Sequence, residues 1–176
     1  MEEKRVTKFK WFWAWQDEKE ESWLENMSEK GYHLASVKTP GFYTFIVTEP
    51  RKHAYRLDYQ TFRKKDKQEY LQLFRDAGWE HVGEVSNWQY FRKEVTSEET
   101  PEIFTDVESK IDKYKRVLTI VGFFYIILIA IMTGRISTKD PYPWMSGITV
   151  FIFLVLLFMS YAIIKLATRI RQLRKY

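Results

Sequence analysis

The sequence predicts an α+β protein in which a duplicated β-α-β-β domain is followed by a hairpin of two transmembrane helices. Two apolar runs, residues 117–133 and 145–164, contain no charged residue, and runs of this length are typical of membrane-spanning helices. Two similar segments recur about 47 residues apart in the N-terminal half, which indicates an internal repeat. Aromatic and β-branched residues bounded by turn residues surround both segments, and this pattern predicts strands.

These patterns divide the chain into six parts. They are a cytoplasmic α+β domain at residues 1–95, an acidic linker and juxtamembrane segment at 96–112, a first transmembrane helix at 113–136, an outside loop at 137–143, a second transmembrane helix at 144–165 and a basic cytoplasmic tail at 166–176. We expect the linker to be a flexible, solvated spacer, with docking of a basic partner as the alternative.

The repeat predicts one helix in each half of the N-terminal domain, over residues 17–30 and 65–77. Each helix ends at a glycine, Gly31 or Gly78, which suits the left-handed residue that follows many helices. Each also opens with an acidic sequence that resembles a capping box. These sequences run from Asp17 to Glu20 and from Asp66 to Glu69.

Three strands are predicted in each half. In the first half they are residues 9–15, 32–37 and 42–48, and in the second half 54–60, 79–85 and 88–93. The turn sequences Pro40-Gly41 and Ser86-Asn87 separate the last two strands of each half. We therefore expect one mainly antiparallel six-stranded sheet with both helices on one face.

Basic residues beside the apolar runs predict the topology. Lysine and arginine are concentrated before the first run and after the second, whereas the connecting loop contains only Arg135 and Lys139. Because basic residues near helix ends favour the cytoplasmic side, we expect a multi-pass protein with both termini in the cytoplasm. The lipid bilayer is then the first partner. The side chains predicted to contact lipid headgroups are Lys115, Arg116, Lys165, Arg169, Arg171, Arg174 and Lys175.

Charge and composition argue against several other classes. The net charge of +5 lies beside the apolar runs, because residues 1–95 carry 17 basic and 16 acidic residues. A nucleic-acid-binding domain would carry the positive charge itself, so no nucleic acid is expected as a partner. The chain contains no cysteine, which removes disulfides and thiolate metal sites. The first fifteen residues lack the long apolar stretch of a secretory signal.

No catalytic, cofactor-binding or metal-binding residue is predicted. The three histidines His33, His53 and His81 do not have the spacing of metal ligands. The sequence also contains no phosphate-binding loop and no nucleophile elbow. Asp58 and Glu69 could act as an acid–base pair, but cross-strand pairing of Asp58 is the preferred interpretation. We therefore expect a protein that is not an enzyme and has no cofactor.

Aromatic residues are the best candidates for a binding surface. One sheet face must cover the predicted helices, and apolar side chains on the other face would remain exposed. Whether the aromatic face is core or binding surface stays open at this point. The candidate interaction surface consists of Phe12, Phe42, Ile46 and Phe91.

Several motifs resemble the DUF2812 family of bacterial membrane proteins. The resemblance extends over about residues 8–93 and is carried by KFKWFWAWQDEKEESWLENMSEKGYHL, PGFYTF, YRLDYQ, YLQLFRDAGWE and NWQYFRK. The family has no assigned function, and its members are often encoded beside PadR-like transcriptional regulators. The resemblance therefore implies an accessory or regulatory protein of the bacterial cytoplasmic membrane, and it supplies no catalytic residues.

Two functional hypotheses follow. The first is a membrane-anchored accessory or regulatory protein that presents a cytoplasmic protein-interaction domain, with a PadR-like regulator as a candidate partner. The alternative is a small-molecule-binding or export-associated membrane subunit, which a pocket lined by Trp11, Trp13 and Tyr55 would favour. Homo-oligomerisation and the identity of the partner, ligand or signal stay open.

Overall fold

The computed structural model describes residues 4–62, 66–96, 101–104, 107–137 and 143–175. The chain forms two compact units, Met1–Asp106 and Val107–Tyr176. The first unit contains six strands and two helices, and the second contains two long helices. In chain order the elements are β1 (Arg5–Phe9), α1 (Asp17–Glu29), β2 (Tyr32–Lys38), β3 (Phe42–Val47), β4 (His53–Tyr59), α2 (Asp66–Asp76), β5 (Glu80–Val85), β6 (Trp88–Glu94), α3 (Val107–Ser137) and α4 (Pro143–Leu173).

The strands form two three-stranded antiparallel sheets. Their strand orders are β1-β3-β2 and β4-β6-β5. The antiparallel pairing is as predicted, but the single six-stranded sheet is not. Strands β2 and β5 approach each other without sharing a hydrogen-bonded ladder. Instead, the backbone of Leu34 in β2 forms hydrogen bonds with side chains of the second sheet. The Leu34 N–H donates to the Tyr55 hydroxyl at 3.3 Å, and the Leu34 carbonyl accepts from the Arg92 guanidinium at 3.4 Å.

The two sheets share further local features. In each, the last strand of the half lies in the centre. A register shift interrupts β2 between Leu34 and Ser36 and interrupts β5 between His81 and Gly83. Such shifts bend a strand and increase its twist. Both halves therefore have the same strand order and a bulge in the same strand.

The prediction of a strand over residues 9–15 is wrong. Strand β1 ends at Phe9, which pairs with Phe42, the first residue of β3. Beyond this pair the ladder with β3 does not continue, and the Lys10 N–H donates to the Gly41 carbonyl at 3.0 Å. The alternating tryptophans that suggested a strand instead contact one another in the segment before α1, where Trp13 and Trp15 stack and Trp11 meets Trp13 edge to face. The ring centroids of Trp11 and Trp13 are 5.3 Å apart.

Both helices of the first unit end as predicted, and α1 begins at Asp17 as predicted, but without the predicted capping box. Gly31 and Gly78 each have φ of +81°, the left-handed conformation that glycine adopts readily. The residue before α1 is Gln16, and its side chain makes no capping bond to the helix. It accepts a hydrogen bond from the Trp13 N–H at 3.1 Å instead. Asp17 is the first helical residue and is buried.

The two helices pack against different cores, so the prediction that they share one sheet face is also wrong. Adjacent residues of a strand point to opposite faces. Accordingly Tyr55 of β4 belongs to the core around α1, and Ala54 belongs to the core under α2. The buried residues of the first core are Leu24, Met27, Leu34, Tyr43, Phe45, Tyr55, Leu57 and Tyr90. Those of the second are Ala54, Trp79 and Phe91, covered by Tyr70, Leu71, Phe74, Val95 and Ile103.

The second unit is a pair of helices that are each long and apolar enough to cross a membrane, over Val107–Gly134 and Gly147–Leu173. A hydrogen bond of 2.9 Å joins the Tyr125 hydroxyl of α3 to the Ser160 hydroxyl of α4. Most of the predicted outside loop, residues 138–142, lies outside the described residues. The predicted linker is partly helical, since α3 begins at Val107.

Part of the predicted linker is docked on the first unit. The Arg56 Nε donates to the Glu102 carboxylate at 2.9 Å, and Ile103 packs against the second core. The described residues 101–104 are therefore held by the domain, and residues 97–100 lie outside the described part of the chain.

Candidate functional site

A cavity of about 160 Å³ lies in the first unit, beside the tryptophan-rich segment that precedes α1. Its walls come from this segment, the first turns of α1, the turn between β2 and β3, and the hairpin between β5 and β6. We call it the aromatic cavity. The lining residues are Lys10, Trp11, Phe12, Trp13, Ala14, Asp17, Glu20, Val37, Lys38, Thr39, Pro40, Gly41, Tyr43, Leu57, Val85, Ser86, Trp88 and Tyr90.

The base of the aromatic cavity is a carboxylate that holds two tyrosines. Tyr43 of β3 and Tyr90 of β6 each donate a hydroxyl hydrogen bond of 2.7 Å to Oε1 of Glu20 in α1. The side chain of Glu20 thus connects α1 with both sheets. The Glu20 residue is only 7% exposed. Among the described residues, its second carboxylate oxygen, Oε2, has no hydrogen-bond partner, although a buried carboxylate normally has both oxygens bonded.

Burial controls the electrostatics of this group. Desolvation raises the pKa of Glu20, and the neighbouring Asp17 carboxylate raises it further, while the two tyrosine hydroxyls partly oppose the shift. Burial and the Glu20 charge also raise the pKa of Tyr43 and of Tyr90. Both tyrosines therefore stay protonated and remain donors at neutral pH. The cavity base can accept one more hydrogen bond or a positive charge.

The walls of the cavity are aromatic faces and edges. The ring of Phe12 lies 5.7 Å from that of Trp23 and 6.4 Å from that of Tyr43. The Lys10 ammonium lies over two rings, 5.2 Å from the Phe12 centroid and 4.8 Å from the Trp23 centroid. A cation is attracted to the negative face of an aromatic ring at such distances. This wall therefore already holds one ammonium group of the chain itself.

The charges of the cavity are separated by depth. Asp17 and Glu20 are buried, whereas Lys10 and Lys38 are exposed. The base is consequently acidic and the mouth is basic. Because buried charges are screened less than exposed ones, the acidic groups dominate the field inside.

A second, larger depression has fewer buried residues and no buried polar group among the described residues of its lining. It has a volume of about 450 Å³ and is lined by Leu71, Arg75, Gly78, Trp79, Glu80 and His81. The Glu80 carboxylate is already occupied by the Arg92 guanidinium at 2.6 Å. Of these residues only Trp79 is buried. The aromatic cavity is therefore the stronger candidate.

The four predicted interaction residues do not form one surface. Phe12 is half-buried in the cavity wall. Phe91 has no exposed surface and packs on Phe74 with ring centroids 4.2 Å apart, so its assignment to an exposed surface is wrong. Phe42 is 43% exposed and lies on the same face of β3 as the half-buried Ile46.

Phe42 has an aromatic neighbour that the sequence interpretation did not include. Phe9 of β1 is 58% exposed and its ring lies 5.2 Å from that of Phe42. The pair follows from the register, because Phe9 and Phe42 are directly opposite in the ladder. We call Phe9, Phe42 and Ile46 the aromatic patch. It lies on the face of the first sheet opposite to Tyr43 and Phe45.

The residues predicted to contact lipid headgroups lie in the third turn of α3, in the last three turns of α4 and directly after α4. Arg116 and Arg169 are half-buried. The remaining five are exposed, namely Lys115, Lys165, Arg171, Arg174 and Lys175. Contact of all seven with headgroups remains a prediction.

Sequence reasoning missed most of the polar groups of the cavity. Glu20 was assigned to a capping box, and Tyr43 and Tyr90 were assigned only to strands. A local pattern cannot show that residues 20, 43 and 90 meet. Trp11 and Trp13 line the cavity as the small-molecule hypothesis required, whereas Tyr55 does not. In the described part of the chain, no group of three His, Asp or Glu side chains is arranged to hold a metal ion.

Comparison with known proteins gives one match. A family model described as a protein of unknown function (DUF2812) matches residues 16–126. The matched segment includes Glu20, Tyr43 and Tyr90 and extends into α3. No curated protein and no solved structure matches the chain.

Proposed function

Because this chain belongs to the DUF2812 family, which has no assigned function, we propose that it is a membrane-anchored accessory or regulatory protein whose N-terminal domain binds a small molecule. The aromatic cavity is the binding site. The proposed role is binding and not catalysis. Occupancy of the cavity is the signal that the protein passes on, either to a cytoplasmic regulator or within a membrane complex.

The observation that carries this proposal is the state of Glu20. A buried carboxylate with an unsatisfied oxygen costs free energy, about 1–3 kcal/mol for an unpaired group of this kind. Such a cost is typical of sites that are completed by a ligand. The aromatic walls supply the apolar contact area that small-molecule sites require. The volume suits a single aromatic ring, since a cavity of about 150 Å³ holds benzene.

The membrane anchor is supported by the two long apolar helices. The basic residues at both ends of the hairpin support cytoplasmic termini and an outside loop. The proposal therefore places the aromatic cavity in the cytoplasm, at the inner membrane of a bacterium.

The common architecture of the two halves supports an origin by duplication. Both halves have the order β-α-β-β, the same central strand and a bulge in the same strand. Only the first half contributes an acidic helix residue to the base of the aromatic cavity. We infer that the halves diverged after duplication and that the ligand site arose in the first.

Ligand uptake can be tested with the full chain in detergent micelles. Isothermal titration calorimetry with 2-phenylethanol, a neutral ligand with one aromatic ring, should detect binding. Trp88→Ala should weaken this binding about tenfold, because Trp88 lines the cavity. Leu73→Ala, at an exposed position of α2, is the matched control and should bind as the unmodified chain does. Absence of binding for 2-phenylethanol and for its charged analogues would contradict the proposal.

The second candidate function is protein–protein interaction through the aromatic patch. The exposed pair Phe9 and Phe42 favours it, because large exposed aromatic side chains in contact often mark an interface. A PadR-like cytoplasmic regulator is the partner to test first. After crosslinking in cells, such a regulator should copurify with the unmodified chain and with Leu73→Asp but not with Phe42→Asp. Recovery of only further copies of the chain would favour a homo-oligomer.

A further inference from the structure

We propose that the ligand of the aromatic cavity is an organic cation, a protonated amine attached to a ring or a compact apolar body. This inference rests on the proposed function, since it assigns the chemical class of the ligand of the same site. Three features of the described residues carry it: the free acceptor at the base, the acidic charge beside it, and the aromatic wall.

The free carboxylate oxygen at the base of the cavity requires a ligand that carries a hydrogen-bond donor. Oε1 of Glu20 is filled by the Tyr43 and Tyr90 hydroxyls. Oε2 is not filled within the described part of the chain, and Glu20 is more than nine-tenths buried. A ligand oxygen without a hydrogen could not bind there. An ammonium group carries up to three N–H donors and forms the stronger, charge-assisted hydrogen bond to a carboxylate.

The surrounding charge selects a cation among the possible donors. Asp17 is 2% exposed and lines the same cavity. Its carboxylate, after the larger effect of burial, also raises the pKa of Glu20. A positive ligand group between them would reduce this repulsion. A negative ligand group would increase it in a poorly screened environment.

The aromatic wall accepts a cation in the structure itself. The Lys10 ammonium lies over the ring of Phe12, which lines the cavity, and over the ring of Trp23, which packs against Phe12. A ligand ammonium at the base would be attracted by the neighbouring ring faces in the same way, and this attraction grows when water is excluded. The ligand body would then contact Trp11, Trp13 and Trp88.

The basic residues of the cavity do not reverse this assignment. Lys10 and Lys38 are exposed at the mouth, where solvent and salt screen them. Lys10 is moreover engaged with two rings. The groups that face Glu20 are Asp17 from α1, Tyr43 from β3, Tyr90 from β6 and the two mouth lysines. Both tyrosines stay protonated, so they add no charge at the base.

Three probes of equal size test the charge of the ligand. They are 2-phenylethylamine, 2-phenylethanol and phenylacetate, titrated calorimetrically into the full chain in detergent at neutral pH. We expect the amine to bind at least tenfold more tightly than the alcohol, and the anion to bind most weakly. If the alcohol or the anion binds as tightly as the amine, the cation inference is wrong while the proposed function stands. If none of the three binds, both are wrong.

The variant Glu20→Gln tests the named carboxylate. Glutamine keeps an oxygen for the tyrosine hydroxyls but removes the charge. We expect it to abolish the tenfold preference for the amine over 2-phenylethanol, while tryptophan fluorescence reports whether the fold is intact. Glu29→Gln, an exposed acid at the end of the same helix, should keep the preference. An unchanged preference in Glu20→Gln would overturn the inference.

A pH series on the unmodified chain covers the case in which Glu20→Gln fails to fold. The amine remains protonated between pH 4.5 and about 7.5, since aliphatic ammonium groups titrate near 10. Burial raises the pKa of Glu20 above its ordinary value of 4.5, so the carboxyl loses its proton as the pH rises. The ratio of amine to alcohol affinity should therefore rise with pH. A ratio that stays constant or falls would overturn the inference.

Discussion

The carboxylate of Glu21 in α1 accepts a hydrogen bond from the backbone N–H of Leu57 in β4, with 2.8 Å between Oε1 and the nitrogen. One helical turn later, Glu25 accepts from the Tyr55 N–H at 3.3 Å. Strand β4 is an edge strand. Because four helical residues rise about 6 Å and two strand residues about 6.6 Å, the two carboxylates match the spacing of the free amides. Helix α1 thus closes the sheet edge with side chains.

Replacing Glu21 should show what this closure contributes to stability. Glu21→Ala leaves the buried Leu57 amide without its acceptor, and we expect the free energy of unfolding to fall by about 1–3 kcal/mol. Glu21→Gln keeps a carbonyl oxygen and should cost less than half as much. Urea unfolding followed by tryptophan fluorescence measures this, since six of the seven tryptophans lie in the N-terminal domain. An equal loss in both variants would show that charge, and not the hydrogen bond, is the main contribution.

Truncation of Phe91 should destabilise the domain far more than truncation of Phe42. Phe91 has no exposed surface, so Phe91→Ala should lower the free energy of unfolding by about 3–4 kcal/mol through lost burial and a cavity. Phe42→Ala removes a largely exposed ring and should cost less than about 1 kcal/mol. The same urea experiment compares them. A small effect of Phe91→Ala would contradict the second core.

The equivalent glycines Gly31 and Gly78 should differ in tolerance to alanine. Both have φ of +81°, which costs a residue with Cβ about 1 kcal/mol. At Gly31 the added Cβ would also lie 2.4 Å from the Thr48 carbonyl oxygen, a backbone atom that cannot move freely. At Gly78 it would meet only the flexible Lys93 side chain at 3.4 Å. The midpoint temperature of thermal unfolding should be well below that of Gly78→Ala in the variant Gly31→Ala. The reverse order would contradict a steric clash with the Thr48 carbonyl.

Acid should destabilise the domain through His53. Burial, followed by the Arg92 charge, lowers the pKa of His53 to about 4 from an ordinary value of 6.5. The unfolded chain therefore binds more protons between these values, and the contribution of His53 is complete above pH 6.5 and lost as the pH falls towards 4. Since the imidazole ring is partly exposed, we expect this contribution of His53 to the free energy of unfolding to be about 1 kcal/mol.

The matched variant for this prediction is His53→Gln. The difference in unfolding free energy between the unmodified chain and His53→Gln should shrink as the pH falls from 7 to 4.5. Taking a difference removes the contribution of Glu20, whose raised pKa acts in the opposite direction. A difference that does not change with pH would exclude His53 as the titrating group.

The absence of cysteine makes the proposed topology directly testable. Single cysteines can be placed in the N-terminal domain with Ser22→Cys, in the connecting loop with Thr138→Cys and in the tail with Gln172→Cys. In intact cells, a membrane-impermeant maleimide should label only Thr138→Cys. After permeabilisation it should label all three, because Ser22 and Gln172 are exposed. Labelling of Ser22→Cys in intact cells would show that the topology is the reverse of the proposed one.

The elements were predictable from sequence where the local signal was complete. Helix α1 was predicted over 17–30 and spans Asp17–Glu29, and the turn at Ser86-Asn87 has positive φ at both residues, as the hairpin type requires. Strand β1 was misplaced because its end depends on where its partner begins, at Phe42, and not on its own alternation. The tryptophans beyond Phe9 are residues that favour strands, but the ladder with β3 ends at Phe9 and Phe42.

The site was less predictable because it depends on long-range contacts. The sequence pattern of β6 does not indicate which of Phe91 and Tyr90 is buried, and in the structure both are buried. Glu20 has a satisfactory local interpretation as a capping residue, and only the folded chain brings it to Tyr43 and Tyr90. Where the two sheets meet, the backbone groups of Leu34 bind the Tyr55 and Arg92 side chains, which no local pattern connects with Leu34.

The carboxylates on the edge of β4 also have a consequence during biosynthesis. The domain precedes α3 and α4 in the chain, so it leaves the ribosome first and can fold while the apolar helices are still being made. At that stage several nascent chains on one messenger are close together. Because Glu21 and Glu25 already occupy the amides of Leu57 and Tyr55, this edge offers no pairing site there to a neighbouring nascent chain. The helix thereby protects translation intermediates from aggregating through this edge before α3 and α4 are complete.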